Sequence, residues 1–263
     1  MRQQNYPVIV RIYFLFDKSL DALFVLLRAC LIGFWLGVLK KETLQGIDQY
    51  YYDSANMYCN EKYNKSGLWK WEKQVLSEYF QNCTCLLVAG AGGGREILAL
   101  QQLGYNVDGF ECNIRLADFA NNLLKREGFV ASVQLALRDE CPNSDKLYDG
   151  IIIGWGAYML IQGRKQRVDF LKELRAQMSA GAPLLLSFFS RANDSLYFKL
   201  ILVIGNVIRW LLGRDALELG DALVPNYVHH FTQDEVIQEL HAGGVDVKFY
   251  STDSYGHAVG IAS

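Results

Sequence analysis

Residues 86–96 read LLVAGAGGGRE. Leu86, Leu87 and Val88 form a short apolar run of the kind that builds a strand buried on both faces. Gly90, Ala91, Gly92, Gly93 and Gly94 then carry almost no side-chain bulk. A chain that bare can take positive φ and let its backbone approach a ligand closely. From Arg95 the pattern turns helical, with Ile97, Leu98, Leu100 and Leu103 on one stripe and Gly104 placed to end it. Strand, bare turn and helix N-terminus together direct free backbone N–H groups at a ligand, which is the geometry of a nucleotide site. An acid at the end of the next strand can accept hydrogen bonds from ribose hydroxyls. Glu111 stands there, 21 residues after Gly90, closing the predicted strand 106–110, with Cys112 and Asn113 directly behind it.

These residues need a β-α-β-α frame, and the sequence supplies one. Ile114, Ala117, Ala120, Leu123 and Leu124 mark a second helix. The spacing of the glycines separates two kinds of nucleotide site. A dinucleotide fingerprint, G-x-G-x-x-G, would place its third glycine where Arg95 stands. The run fits G-x-G-x-G instead, through Gly90, Gly92 and Gly94, and in this it resembles the first motif of class I S-adenosylmethionine-dependent methyltransferases. The family often carries an acid two residues before the first glycine; Val88 occupies that place.

Later segments extend the resemblance over about residues 70–263. Ser132 to Leu137 reads as strand three and Tyr148 to Gly154 as strand four. Residues 170–190 look like the family's helix, small-residue turn and strand five. Residues 231–244 look like the helix before strand six, with Thr232 and Glu235 spaced as a capping box. Residues 248–253 and 257–262 fit the closing hairpin. The resemblance implies an α/β fold: a Rossmann-like seven-stranded sheet with helices on both faces and a C-terminal antiparallel hairpin. It implies S-adenosylmethionine as cofactor, bound by Gly90, Ala91, Gly92, Gly94, Glu111, Cys112, Asn113 and Trp155. Asp139, after strand three, is where the family's acid meets the adenine amino group.

Composition bounds the partners. With 26 basic and 28 acidic residues the net charge is −2, which gives no electrostatic basis for nucleic-acid binding. The basic cluster Arg164, Lys165 and Arg167 reads as the solvated start of a helix. Six cysteines without a signal-peptide pattern read as reduced thiols in a cytoplasmic protein. Cys83 and Cys85 have poor zinc spacing, and no metal is expected.

Two additions flank the frame: an N-terminal extension, residues 1–69, and an insertion at about 191–225 in the methyltransferase domain 70–263. Residues 22–39 are apolar except for Arg28, just short of the ~20 a membrane span needs. Leu196 to Leu212 is apolar apart from Lys199, Asn206 and Arg209. The two are expected to pack on each other as a helical lid; a homodimer surface and membrane association are the other readings. Between lid and frame the chain is dense in aromatics, including Tyr51 and Tyr58, which are expected with Tyr227 to line a substrate site. Aromatic faces attract a cation such as a sulfonium.

Transfer to oxygen calls for a base. His229 and His230, in an expected loop after Pro225-Asn226-Tyr227, are the candidates, and Tyr158 lies where the family carries acceptor-binding residues. The expected activity is methyl transfer to oxygen or nitrogen of a small apolar or aromatic molecule. A non-catalytic methyltransferase-like partner protein and a nicotinamide-dependent oxidoreductase are the alternatives.

Overall fold

The computed structural model describes residues 6–130 and 133–263, and the chain divides into two compact units. The larger holds Lys41–Ala192 and Val224–Ser263. In it, strands β1 (Cys85–Ala89), β2 (Asn106–Glu111), β3 (Val133–Leu135), β4 (Gly150–Ile153) and β5 (Pro183–Ser190) pair in parallel in the order β3-β2-β1-β4-β5. Parallel neighbours need crossover helices. Here α5 (Arg95–Gln102) joins β1 to β2, α6 (Ile114–Arg126) joins β2 to β3, and α7 (Arg164–Ala176) joins β4 to β5. β9 (Gly256–Ala262) lies antiparallel on β5, and β8 (Val245–Ser251) antiparallel on β9. This is the expected sheet with its reversed hairpin. Ser132, assigned to strand three from the sequence, lies outside the described residues.

Leu86, Val88, Ile152 and Leu185 are buried in the centre of the sheet. Each such side chain is worth about 1.5–3 kcal/mol against exposure. The capping box of α9 (Gln233–Ala242) forms as its sequence suggests: Thr232 Oγ1 accepts from the Glu235 amide, and Glu235 Oε2 accepts from the Thr232 amide. A short 3₁₀ turn, Tyr158–Leu160, follows β4. Ahead of β1 come α2 (Lys41–Ser54), α3 (Glu61–Asn64) and α4 (Lys70–Tyr79).

The structure departs from the sequence expectation at Tyr227–Phe231 and at Arg167. Residues Tyr227–Phe231 are not a loop but strand β7, which pairs in parallel with the end of β5 through Phe189↔His230 and Ser190↔Phe231. The stretch YVHHF carries β-branched and aromatic residues that suit a pleated surface. Arg167 is not solvated: it is buried, and its Nη2 donates to Glu239 Oε1 at 2.7 Å. That carboxylate sits 72 residues away on α9, so its pairing leaves no local trace in the basic cluster.

The smaller unit contains α1 (Val8–Val38), α8 (Leu196–Leu211) and the short strand β6 (Asp221–Leu223). The two apolar segments do pack on each other. A Cβ on Gly33 would lie 2.9 Å from Ile201 O, and one on Gly37 would lie 2.7 Å from Ile208 Cβ. Small residues four apart thus let the backbones meet, as in helix pairs generally. Packing covers only the last third of α1, at Ala29, Ile32, Gly33, Leu36 and Gly37. Of the segment 22–39 expected to pack, residues 22–28 stay exposed, and no residue from Val8 to Arg28 is buried.

Candidate active site

At the carboxyl end of β1 the chain turns through Gly90, Gly92 and Gly94, with φ of 72°, 54° and 92°. All three lie in the left-handed region that favours glycine. At Gly92 an added Cβ would meet nothing within 4 Å. At Gly93 it would meet Tyr58 O at 2.1 Å, so this fourth glycine serves the docking of the tyrosine-rich segment rather than an open face.

Glu111, at the end of β2, is buried. Its Oε2 accepts from the Gly92 amide at 2.8 Å, and its Oε1 accepts from the amides of Cys112 and Asn113 at 2.8 and 2.9 Å. A carboxylate offers about four lone-pair sites, so Oε2 retains capacity for a further donor. Asn113 caps α6 through Oδ1, and its Nδ2 donates to Asp53 at 3.0 Å. Burial pushes the Cys112 thiol up to about 12, with Glu111 adding to the effect, so the thiol stays neutral.

These groups open on a cavity of about 380 Å³, within the range typical of small-molecule sites. Gly90, Gly92, Glu111, Cys112, Asn113, Asp139 and Trp155 line it, as do Tyr51 and Tyr58. Asp139 has φ 61°, an uncommon conformation for a residue with a Cβ. Its carboxyl is raised above the usual range, chiefly by burial and against the pull of Arg138 and Lys41. Ala91 and Gly94 do not line the cavity; a Cβ on Gly94 would sit 3.1 Å from Ala120 Cβ, so its bareness serves the packing of α6.

Part of the wall is aromatic and apolar, with Tyr52, Met57, Trp155, Met159 and Phe189. Ring contacts run from Tyr51 to Tyr52 (5.4 Å), Tyr58 (5.1 Å), Tyr63 (5.9 Å) and Trp69 (6.4 Å). The Arg95 guanidinium then lies 4.7 Å from the Trp69 ring. Burial raises the phenols of Tyr52 and Tyr58 above their ordinary value, so both are neutral donors. One buried charge interrupts this wall. Asp48, on the α2 face shared with Tyr51 and Tyr52, accepts from Arg138 Nη1 at 2.6 Å and from Asn226 Nδ2. All three line the cavity. The sequence reading missed this trio; its one local sign is an acid three and four residues before two tyrosines.

Arg95, standing where a dinucleotide site has its third glycine, is itself buried. Nη1 and Nη2 donate to the two oxygens of Glu72 at 2.8 and 2.7 Å, and Nη2 also to Glu96 at 2.7 Å. Nη1 reaches the Gly67 carbonyl as well. This fork fastens residues 67–72 to the first turn of α5. Glu96 in turn accepts from the Trp155 amide at 3.1 Å.

The expected catalytic groups lie elsewhere. Tyr158 is buried, and its hydroxyl donates to Glu239 at 2.6 Å beside Arg167. His229 is buried with its ring 4.6 Å from that of Phe231. His230 stacks on Phe189 at 5.3 Å. Neither histidine, nor Tyr158, nor the buried Tyr227 lines the cavity. Strand β7 fixes alternate side chains to alternate faces, which a loop would not.

No protein-family model and no curated protein matches the sequence. Solved structures do match its fold. A 1,6-didemethyltoxoflavin-N1-methyltransferase from Burkholderia thailandensis, bound to 1,6-didemethyltoxoflavin and S-adenosylhomocysteine, superposes with a TM-score of 0.61 at 12% identity, over 86% of this chain and 92% of that one. An S-adenosylmethionine-dependent methyltransferase from Methanosarcina mazei gives 0.60 at 19% identity, over 74% and 98%. The [4+2]-cyclase SpnF gives 0.51 at 12%, over 69% and 58%. The chain therefore has the Rossmann-like fold of class I S-adenosylmethionine-dependent methyltransferases.

Proposed function

We propose that this chain is a methyltransferase that uses S-adenosylmethionine and methylates oxygen or nitrogen of a small aromatic or apolar molecule. The observation that carries it is Glu111, buried at the end of β2 and hydrogen-bonded to Gly92 of the glycine turn, with acceptor capacity left on Oε2. The residues fit an adenosyl group. Gly92 offers open space, Glu111 suits a ribose hydroxyl, Asp139 is a buried carboxyl at the same cavity, and Trp155 contributes an aromatic wall. That cofactor supplies an electrophilic methyl on a sulfonium. Tyr51, Tyr52, Tyr58 and Trp155 would surround the positive charge with ring faces and exclude water. Among the lining carboxylates, Asp48 is the one held by Arg138 and Asn226, which orient it to hold a donor hydrogen or take a proton from the acceptor.

The engagement of Arg95 by Glu72 and Glu96 speaks against a nicotinamide site, since the close helix-strand approach made by a third glycine is absent there. The cyclase of the same fold supports a second reading, a site that does not transfer methyl groups at all. Both are decided by incubating the protein with S-adenosylmethionine labelled in the methyl group and a panel of phenols, amines and sugars. Labelled product accompanied by S-adenosylhomocysteine is expected. Cofactor binding without label transfer to any acceptor would favour the second reading.

A further inference from the structure

Helix α1 carries a surface that the fold does not use. At about 3.6 residues per turn, Arg11, Asp17, Lys18, Asp21 and Arg28 all fall within about 120° of its circumference. The opposite side is apolar along the whole helix. Ile9, Ile12, Phe16, Leu23, Leu27 and Phe34 lie within about 60° of one another, and each is exposed, between 45% and 70%. The stripe from Ile9 to Phe34 runs about 38 Å at 1.5 Å per residue. Exposed patches of that size are rare without a partner.

What covers it can be read from how its polar groups are handled. Outside the charged sector α1 carries the hydroxyls of Tyr13 and Ser19; that of Ser19 donates back to the Leu15 carbonyl at 2.7 Å. At the C-terminal end, where a helix leaves its last carbonyls unpaired, Arg209 Nη1 donates to Leu36 O at 2.9 Å and Arg214 Nη1 to Gly37 O at 3.2 Å and to Val38 O. The Leu36 and Gly37 carbonyls lie where α1 is buried, so that packing already requires their pairing; on the exposed length, the Ser19 bond is the internal pairing that suits a lipid environment. Helix α8 adds its own exposed apolar stripe, Leu196, Val203, Val207 and Trp210, broken only by Lys199, whose long stem can snorkel.

A second copy of the chain is a poorer occupant. A coiled-coil seam is a narrow stripe on the a and d positions, whereas Tyr13, Leu15, Phe24 and Leu26 widen this face well beyond one. A membrane span is poorer too, because its charges recur along 18 residues of the helix and Arg28 would sit in the hydrocarbon of the most apolar window.

We infer that α1 binds a lipid bilayer by lying along its surface, with the Ile9–Phe34 stripe in the acyl boundary and the Arg11–Arg28 stripe in water. Three basic and two acidic residues on the wet side nearly cancel, so attachment is hydrophobic and works on neutral lipid. This inference is independent of the cofactor and acceptor.

Flotation of the full chain with phosphatidylcholine vesicles tests it. The protein should float, stay bound in high salt, and come off in alkaline carbonate. Leu23→Glu with Leu27→Glu should cut the bound fraction at least roughly tenfold, since two buried leucines are lost. Both positions are exposed, so thermal melting should be unchanged and misfolding separately visible. Lys18→Gln should float like the parent. Failure to float, release by salt alone or retention in carbonate would overturn the inference. So would a lipid-free dimer that the double variant converts to monomer and that vesicles do not compete away.

Discussion

Around its glycine turn the cavity wall is made of backbone; its aromatic wall is made of side chains. Gly90, Gly92 and the amides of Cys112 and Asn113 come from one stretch of 24 residues and are organised by a single carboxylate, Glu111. The side-chain lining gathers Asp48 from α2, Arg138 after β3, Phe189 from β5 and Asn226 before β7. A backbone site tolerates little change in conformation but is indifferent to distant residues. A side-chain site depends on tertiary packing and can be retuned one residue at a time. Arg95 ties the two together by clamping the segment that follows the tyrosines onto the helix that follows the glycines.

The largest effect should come from breaking that tie. Arg95→Met leaves Glu72 and Glu96 buried without their cation and should cost about 3–5 kcal/mol in urea unfolding. Burial already holds the Glu72 carboxyl above its usual range. The unpaired acid folds most readily when neutral, so the deficit should shrink as pH is lowered through the carboxylate range and Glu72 takes up its proton. A variant as stable as the parent at neutral pH would show that the two walls are not coupled through Arg95.

Glu111→Ala should strike the backbone wall alone. Loss of a charged hydrogen-bond acceptor weakens S-adenosylhomocysteine by about 1.5–3 kcal/mol, read by calorimetry, and three backbone donors lose their partner. The two central glycines sharpen the contrast. Gly93→Ala drives a Cβ into the Tyr58 carbonyl and should cost about 1–3 kcal/mol of stability. Gly92→Ala meets open space, so only its positive φ is paid for, about 1 kcal/mol, while cofactor affinity falls. Equal stability losses in the pair would contradict the assignment of their roles. In the aromatic wall, Tyr58→Phe should leave S-adenosylhomocysteine affinity within about 0.5 kcal/mol of the parent, as should His230→Ala, whose ring does not line the cavity.

The same division explains what could be read from the sequence. Gly90 to Glu111 is contiguous, so its chemistry, its strand and its helices are legible together, and the order of motifs after it led to the right sheet and hairpin. Asp48 meets Arg138 and Asn226 across 90 and 178 residues, and no local spacing signals contacts of that span. His229 and His230 were misplaced because Pro225-Asn226 suggested a loop, whereas the residues after it add a strand to β5. Tyr158 and Arg167 looked like site and surface; Glu239, on a helix much later in the chain, takes both into the core.

The central claim is that the glycine turn binds an adenosyl cofactor. Calorimetric titration of the full chain with S-adenosylhomocysteine and, separately, with NAD tests it most directly. The account predicts one-to-one binding of S-adenosylhomocysteine, a melting temperature that rises with its concentration, and no heat with NAD. Binding of NAD, or no binding of S-adenosylhomocysteine by a chain that melts cooperatively, would contradict it.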